Sequence, residues 1–549
     1  MALLPLLPLS VTVAVCLPLY VLVSRFVRQR PLDIVPGPAS VSFITGVLTL
    51  WFGEDAIPYQ EKTMERYGRV IGLPGIFGGK LLSIADTKAI YEILVKNQDT
   101  FEELDSIREL VLLSVLVCVM LSNVHRKQRK LMNPAFSINH MRRIMPIFLA
   151  LSRKVRGIYE CSFCDRTGPL MITLDVDVMD YCSRFALDLI AQAGFGHSFG
   201  SIDGKDEGYS AALKKFDPTT SKLALGIILL PLLTKYIPGH ILRTVAEKLP
   251  WPTLHVMLNI SDTMQSTSRD IWEEKKKLFA LGDKSVVNEY GEGKDIMSIL
   301  LKSNLAASDE ERLTDEELLA QINTFTLAGA DTTSHALARI IHLLALHPEV
   351  QEKLREELTE ACTADGEIGH DDLVELPYLE AVCRETLRLY PPAPVVYRQC
   401  MEDAVLPLAH SYTDTTGKER NELIVPGGST MVIVNIVGVN RDKAIWGPDA
   451  HEWKPERWLS PLPDSVAEAR IPGVYANTLT FIGGSRACIG FKFAQLEMKA
   501  ALSQLVPRFR IAPSLDHEIV WRFGGILTPF IKGSKANKSE LPLRLTPIV

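Results

Sequence analysis

The sequence predicts a mainly α protein with small β-sheets, set behind a single N-terminal transmembrane helix. Three observations carry this reading. Ala2 to Val23 is almost wholly apolar. Thr314 to His347 is a capped helical segment of about 51 Å at 1.5 Å per residue, long enough to cross a whole domain. Strand-like runs are few and short, the clearest being Val70–Leu73 and Lys80–Ala85.

A bilayer takes about 20 apolar residues as a helix, and Ala2 to Val23 meets that length. Pro5, Pro8 and Pro18 weaken it less than they would in water. Arg25, Arg28 and Arg30 follow at once and no basic residue precedes, so the body of the protein is expected in the cytosol. A cleaved signal peptide fits poorly: the apolar stretch is too long and has neither a basic n-region nor a small-x-small site. Pro31 and Val35-Pro36-Gly37-Pro38 then make a stiff connection.

Composition narrows the function. Hydrophobic residues make up 47% of the chain, which suits a large core. A net charge of -6 gives no reason to propose nucleic acid as a partner. Nine cysteines without regular spacing suit a reducing compartment. Cys161 and Cys164 form a CxxC with no second pair or nearby His, and read as a loop feature.

In chain order, Glu54 to Tyr67 reads as a helix ended by Gly68, and Asp86 as the cap of a helix reaching Asn97. Leu110 to Leu121 is nearly unbroken apolar sequence, too short to span a membrane. His125 to Phe136 is basic and then apolar, with His125 and Arg129 on one helix face at i,i+4. Arg126, Lys127 and Lys130 form a basic face that suits an acidic partner. Asp217 to Pro252 is rich in Leu and Pro, and Gly282 to Lys294 is a polar loop. Thr314-Asp315-Glu316-Glu317 is a capping box that starts the long helix, and Pro348 stops it. Ala328-Gly329-Ala330-Asp331-Thr332-Thr333 in its middle is poor helix sequence. Its hydroxyls compete for the i−4 carbonyl and are expected to open the helix locally. Pro377 opens a further, apolar helix with Glu385 and Arg388 at i,i+3.

The chemistry concentrates in Phe481 to Gly490, FIGGSRACIG. Cys488 stands before an apolar helical run, Phe491 to Val506, where free N–H groups and the helix dipole favour a thiolate. Gly483, Gly484 and Gly490 allow close backbone approach. Phe481, Gly484, Arg486, Cys488 and Gly490 resemble, position for position, the haem-binding signature of the cytochrome P-450 family. Three further motifs follow the family's order: the Asp331-Thr332 helix, Glu385-x-x-Arg388, and Pro455-Glu456-Arg457-Trp458.

The resemblance implies one large haem-thiolate monooxygenase domain over residues 54–549, behind an anchor (1–24) and a basic, proline-rich linker (25–53). It implies haem b with Cys488 as axial iron ligand. His125, Arg129, Arg398 and Arg486 are implied at the propionates, with Phe481 beside the haem. Thr332 would hydrogen-bond the oxygen being activated, and Asp331 would relay protons. Glu385, Arg388 and Arg457 would form a buried structural triad. Val395, Val396 and the Phe523–Pro529 stretch would line the substrate cavity, and 217–252 would cover its entrance near the membrane.

No GxGxxG follows a strand, so electrons would come from NADPH through a separate cytochrome P-450 reductase, with cytochrome b5 as a second candidate. The implied setting is the endoplasmic reticulum membrane. The implied reaction puts one atom of O2 into a lipophilic substrate, a terpenoid or other secondary metabolite, with fatty acids and xenobiotics as competitors. Related fungal enzymes carry a shorter, glycine- and acid-containing segment at Leu110–Leu121, so this stretch is either a substrate-recognition loop or retained intron. Two other readings stay open: a haem-thiolate isomerase or dehydratase, and a haem protein that has lost catalysis because Leu110–Leu121 disturbs the nearby helix.

Overall fold

A computed structural model describes residues 30–105, 122–164, 173–205, 208–280, 294–362, 368–428, 430–535 and 538–548. The apolar segments expected as anchor (1–24) and as loop or intron (110–121), and most of the 282–294 loop, lie outside the described residues. Among the described residues no helix is long and apolar enough to cross a membrane.

The long helix sets the frame. Thr314 accepts from the Glu317 amide at 3.2 Å while the Glu317 carboxylate accepts from the Thr314 amide at 2.8 Å, completing the expected capping box. The helix runs Asp315–Leu346, with Pro348 opening the next one. It stays helical through residues 328–333, where a local opening was expected. Its principal neighbour is the helix Val178–Phe195, itself buried along most of its length. A Cβ at Gly329 would lie 3.2 Å from two carbons of Ile190, so the glycine is where these two helices press together.

The helical core includes Ile138–Cys164 and Phe491–Leu505, joined by Phe148 against Phe493 at 4.8 Å. Cys161 and Cys164 therefore end a 27-residue helix and are not a loop feature. Residues 217–252 form the end of one helix and two short ones, Ala224–Thr234 and Gly239–Lys248.

A second core surrounds the largest sheet, whose strand order is Val70–Pro74, Lys80–Ile84, Thr430–Asn435, Val395–Cys400, Phe101–Glu102. Only the Lys80–Ile84 and Thr430–Asn435 pair is parallel. Asp86 caps the helix Thr87–Tyr91 by accepting from Ala89 at 3.0 Å, and a π-helical turn, Glu92–Lys96, carries it on. The last strands form a hairpin, Ile519–Phe523 with Leu527–Ile531.

Candidate active site

Cys488 lies in the loop that feeds the helix Phe491–Leu505. The loop is tied to itself. The Cys488 amide donates to the Phe481 carbonyl at 3.0 Å, and the Ala487 amide to the Gly484 carbonyl at 3.2 Å. Gly484 has φ +78°, and a Cβ there would lie 2.0 Å from the Leu94 carbonyl oxygen. That glycine is demanded by the turn packed behind the loop. At Gly490 a Cβ would meet only Phe136, at 3.9 Å. Phe481 sets its ring edge-on to Tyr475, 5.6 Å away.

Within this frame the Cys488 residue is exposed by surface area. Desolvation by the neighbouring protein pushes the thiol above its ordinary value, while the Gly490 amide and the Arg129 guanidinium pull it back.

Four expected residues from three segments converge here. Arg129, on the helix Ser122–Met132, donates to the Ala487 carbonyl at 2.5 Å. Arg398, on the strand Val395–Cys400, and Arg486, in the loop, both reach Glu103, at 3.0 and 3.5 Å. His125 is held down to about 4, first by burial and then by the charges of Arg486, Arg129 and Arg398. Glu103 carries no motif. It arrives because the strand Phe101–Glu102 pairs with Gln399 and Cys400, which no local pattern announces.

The donor set fits an iron porphyrin. Three guanidinium groups gather here, two of them on the Glu103 carboxylate, a positive surplus that two propionates would neutralise by charge-assisted hydrogen bonds. An accessible thiol beside them is a soft-metal ligand.

Phe136 connects this cluster to the long helix. It lies 3.9 Å from the position of a Gly490 Cβ and 5.6 Å, edge-on, from Phe325. One turn on, Ala328 is exposed although it sits mid-helix. The Thr332 hydroxyl donates to the Ala328 carbonyl at 2.7 Å, so the expected i−4 competition occurs without breaking the helix. The Asp331 side chain is 30% exposed, with its Oδ1 3.5 Å from His335 Nδ1. Sequence reasoning passed over His335, although its i+4 spacing from Asp331 was there to be read.

The Glu385–Arg388–Arg457 contacts form as expected. Arg388 grips both Glu385 oxygens at 2.7 and 2.8 Å, and neither side chain is exposed. Arg457 Nε lies 3.3 Å from Glu385. The Trp458 indole N–H donates to the same carboxylate at 3.0 Å, and Asp449 holds Arg457 at 3.0 Å; the motif named Trp458 without this role, and Asp449 was missed from sequence.

Comparison with known proteins agrees with this geometry. The family pattern of cytochrome P-450 matches residues 36–529. Cytochrome P-450 monooxygenase 91 of Postia placenta is 44% identical over 524 residues, 95% of each chain. A ganoderic acid synthetase of Ganoderma lucidum is 40% identical over 513 residues, 92% of each chain. A monooxygenase of Hericium erinaceus is 31% identical over 530 residues, 94% of each chain. A likeness this long leaves no segment for an unrelated catalytic domain between the first described strand and the last hairpin, and the chain belongs to the cytochrome P-450 family, as a monooxygenase.

Proposed function

We propose that this protein is a fungal, membrane-bound monooxygenase that inserts one atom of O2 into a C–H or C=C bond of a lipophilic terpenoid or other secondary metabolite. The observation that carries the reading is the convergence of His125, Arg129, Arg398 and Arg486 on the Cys488 loop. The terpenoid class rests on the name of the Ganoderma relative, a ganoderic acid synthetase.

Haem b, when bound, supplies a redox-active iron and the activation of O2. Cys488 would hold the iron as thiolate, the four residues His125, Arg129, Arg398 and Arg486 would hold the propionates, and Phe481 would pack beside the haem. Thr332 turns its hydroxyl from the Ala328 carbonyl toward an acceptor on the open side of the helix and donates a hydrogen bond there. Asp331, partly exposed, takes a proton from solvent and passes it inward. Glu385, Arg388 and Arg457 keep the segment before the loop rigid.

Electrons come from NADPH through a separate cytochrome P-450 reductase, or in part through cytochrome b5; Arg126 and Lys130, both exposed, offer positive charge to such a partner. The apolar run at 1–24 anchors the protein in the endoplasmic reticulum membrane. Exposed Val41, Phe43, Ile44 and Tyr236 support a membrane-facing side.

Expression with a reductase in yeast, fed terpenes and fatty acids under labelled dioxygen, tests the reading. A product carrying one labelled oxygen is expected. A product formed without O2 or reductase would instead identify an isomerase or dehydratase. A loaded protein with no product from any substrate would point to lost catalysis.

A further inference from the structure

The C-terminal hairpin is tied to the long helix along a single seam. His335, Arg339 and His342 lie on one helix face at i, i+4 and i+7. His335 Nε2 is 3.2 Å from the Thr528 hydroxyl. The Arg339 guanidinium lies 4.5 Å over the Trp521 ring and 3.7 Å over Tyr390. The Trp521 indole N–H donates to His342 Nδ1 at 3.0 Å.

Of the three, His335 also reaches back one turn. Its Nδ1 is 2.7 Å from the Asp331 carbonyl oxygen and 3.5 Å from Asp331 Oδ1. A carbonyl only accepts, so Nδ1 carries the hydrogen. In the neutral ring Nε2 is then an acceptor, which the Thr528 hydroxyl serves at 3.2 Å in competition with the Ile526 carbonyl at 3.3 Å. One buried imidazole therefore donates to the Asp331 main chain, lies 3.5 Å from the Asp331 carboxylate, and is itself held from the hairpin.

We propose that His335 is a positioning residue that fixes the Asp331 carboxylate and ties its orientation to Thr528 on the hairpin. The inference rests on the reading of Asp331 as the proton-relaying acid. It goes further by making that acid's orientation depend on how the hairpin sits. A purely packing histidine would need the ring's volume and neither of its nitrogens.

The nitrogens separate the two cases. In His335→Asn the amide nitrogen stands near the place of Nδ1, so the donor to Asp331 survives while the contact to Thr528 is lost. His335→Phe keeps ring volume and loses both. These variants, Thr528→Val, and the His335→Phe/Thr528→Val pair are made in the full chain and expressed with a reductase. The reduced carbon monoxide spectrum reads haem loading, product per NADPH reads proton delivery, and the thermal midpoint reads the seam.

All variants are expected to load haem like the wild type. His335→Asn and Thr528→Val, which lose only the hairpin contact, should each fall about threefold in product per NADPH, whereas His335→Phe should fall about tenfold, with the missing electrons found in hydrogen peroxide. Thr528→Val should lower the thermal midpoint when residue 335 is His and leave it unchanged when it is Phe. Equal coupling in the Asn and Phe variants would overturn the proposal, as would additive midpoint changes. Loss of the thiolate-type spectrum in His335→Phe alone would mean a structural role and overturn it too. A wild type that lacks that spectrum would remove the haem reading itself, and the proposal with it.

Discussion

Arg388 shows what a single buried charge can hold. Besides Glu385 it donates to the carbonyls of Asn440 and Ala450, at 2.7 and 2.8 Å, so its guanidinium stitches the Pro377–Leu389 helix to the segment before the cysteine loop. Arg388→Ala strands the Glu385 carboxylate in a fully buried site, at a cost of about 3–5 kcal/mol. Little protein with a thiolate-type carbon monoxide spectrum should be recovered. Lys353→Ala, which breaks the exposed pair with Glu456 and a 5.9 Å approach to the Tyr378 ring, should load haem normally. Gly484→Ala should also fail to load, because φ +78° costs an L-residue about 1–2 kcal/mol and the new Cβ would press on the Leu94 carbonyl. Wild-type loading in either Arg388→Ala or Gly484→Ala would contradict the role given to that residue. The Glu385–Arg388 pair was legible because its partners are three residues apart. Glu103 was not, since it is delivered by a segment distant in sequence, and Asp449 carries no motif although it lies only eight residues from Arg457.

Elements whose ends are set by local chemistry were legible to within a residue or two. The helix ended by Gly68, the Thr314 capping box and the Pro348 stop all involve neighbours a few positions apart. What failed depended on tertiary packing. The 328–333 stretch was expected to open the helix, yet the helix continues, because pressure from the Val178–Phe195 helix is what asks for a small residue at 329. That origin can be tested without reference to catalysis. Gly329→Ala gains helix propensity of about 1 kcal/mol but sets its methyl 3.2 Å from Ile190 Cδ1 and Cγ1. Ile190→Val removes one of these two carbons, Cδ1. The double variant should therefore be more thermostable than Ile190→Val, while Gly329→Ala alone should not exceed the wild type. If Gly329→Ala raises the midpoint equally in both backgrounds, the two helices are not in contact there.

Across the whole molecule, two buried groups give the fold opposite pH dependences. His342 is held down to about 4 by burial and by the Arg339 guanidinium, while its Nδ1 accepts from Trp521. The unfolded chain takes up a proton near the ordinary histidine value of about 6.5, and the folded chain does so only near 4. This group therefore withdraws stability as pH falls through that window, by at most about 1.4 kcal/mol per pH unit. Glu497 works in the opposite direction. It is 1% exposed, neither carboxyl oxygen has a hydrogen-bond partner among the described residues, and burial raises it well above the usual carboxylate range. The folded state keeps a proton that the unfolded state releases above its ordinary carboxyl value, so stability falls as pH rises from there toward the folded value. His342→Asn, whose amide oxygen can accept from Trp521, should flatten the acid side of the thermal midpoint profile and leave the alkaline side alone. Glu497→Gln should raise the midpoint at neutral pH, with a gain that grows as pH rises from the unfolded carboxyl value toward the folded one. Profiles of both variants that run parallel to the wild type from pH 4.5 to 9 would show that neither group carries the burial penalty assigned to it.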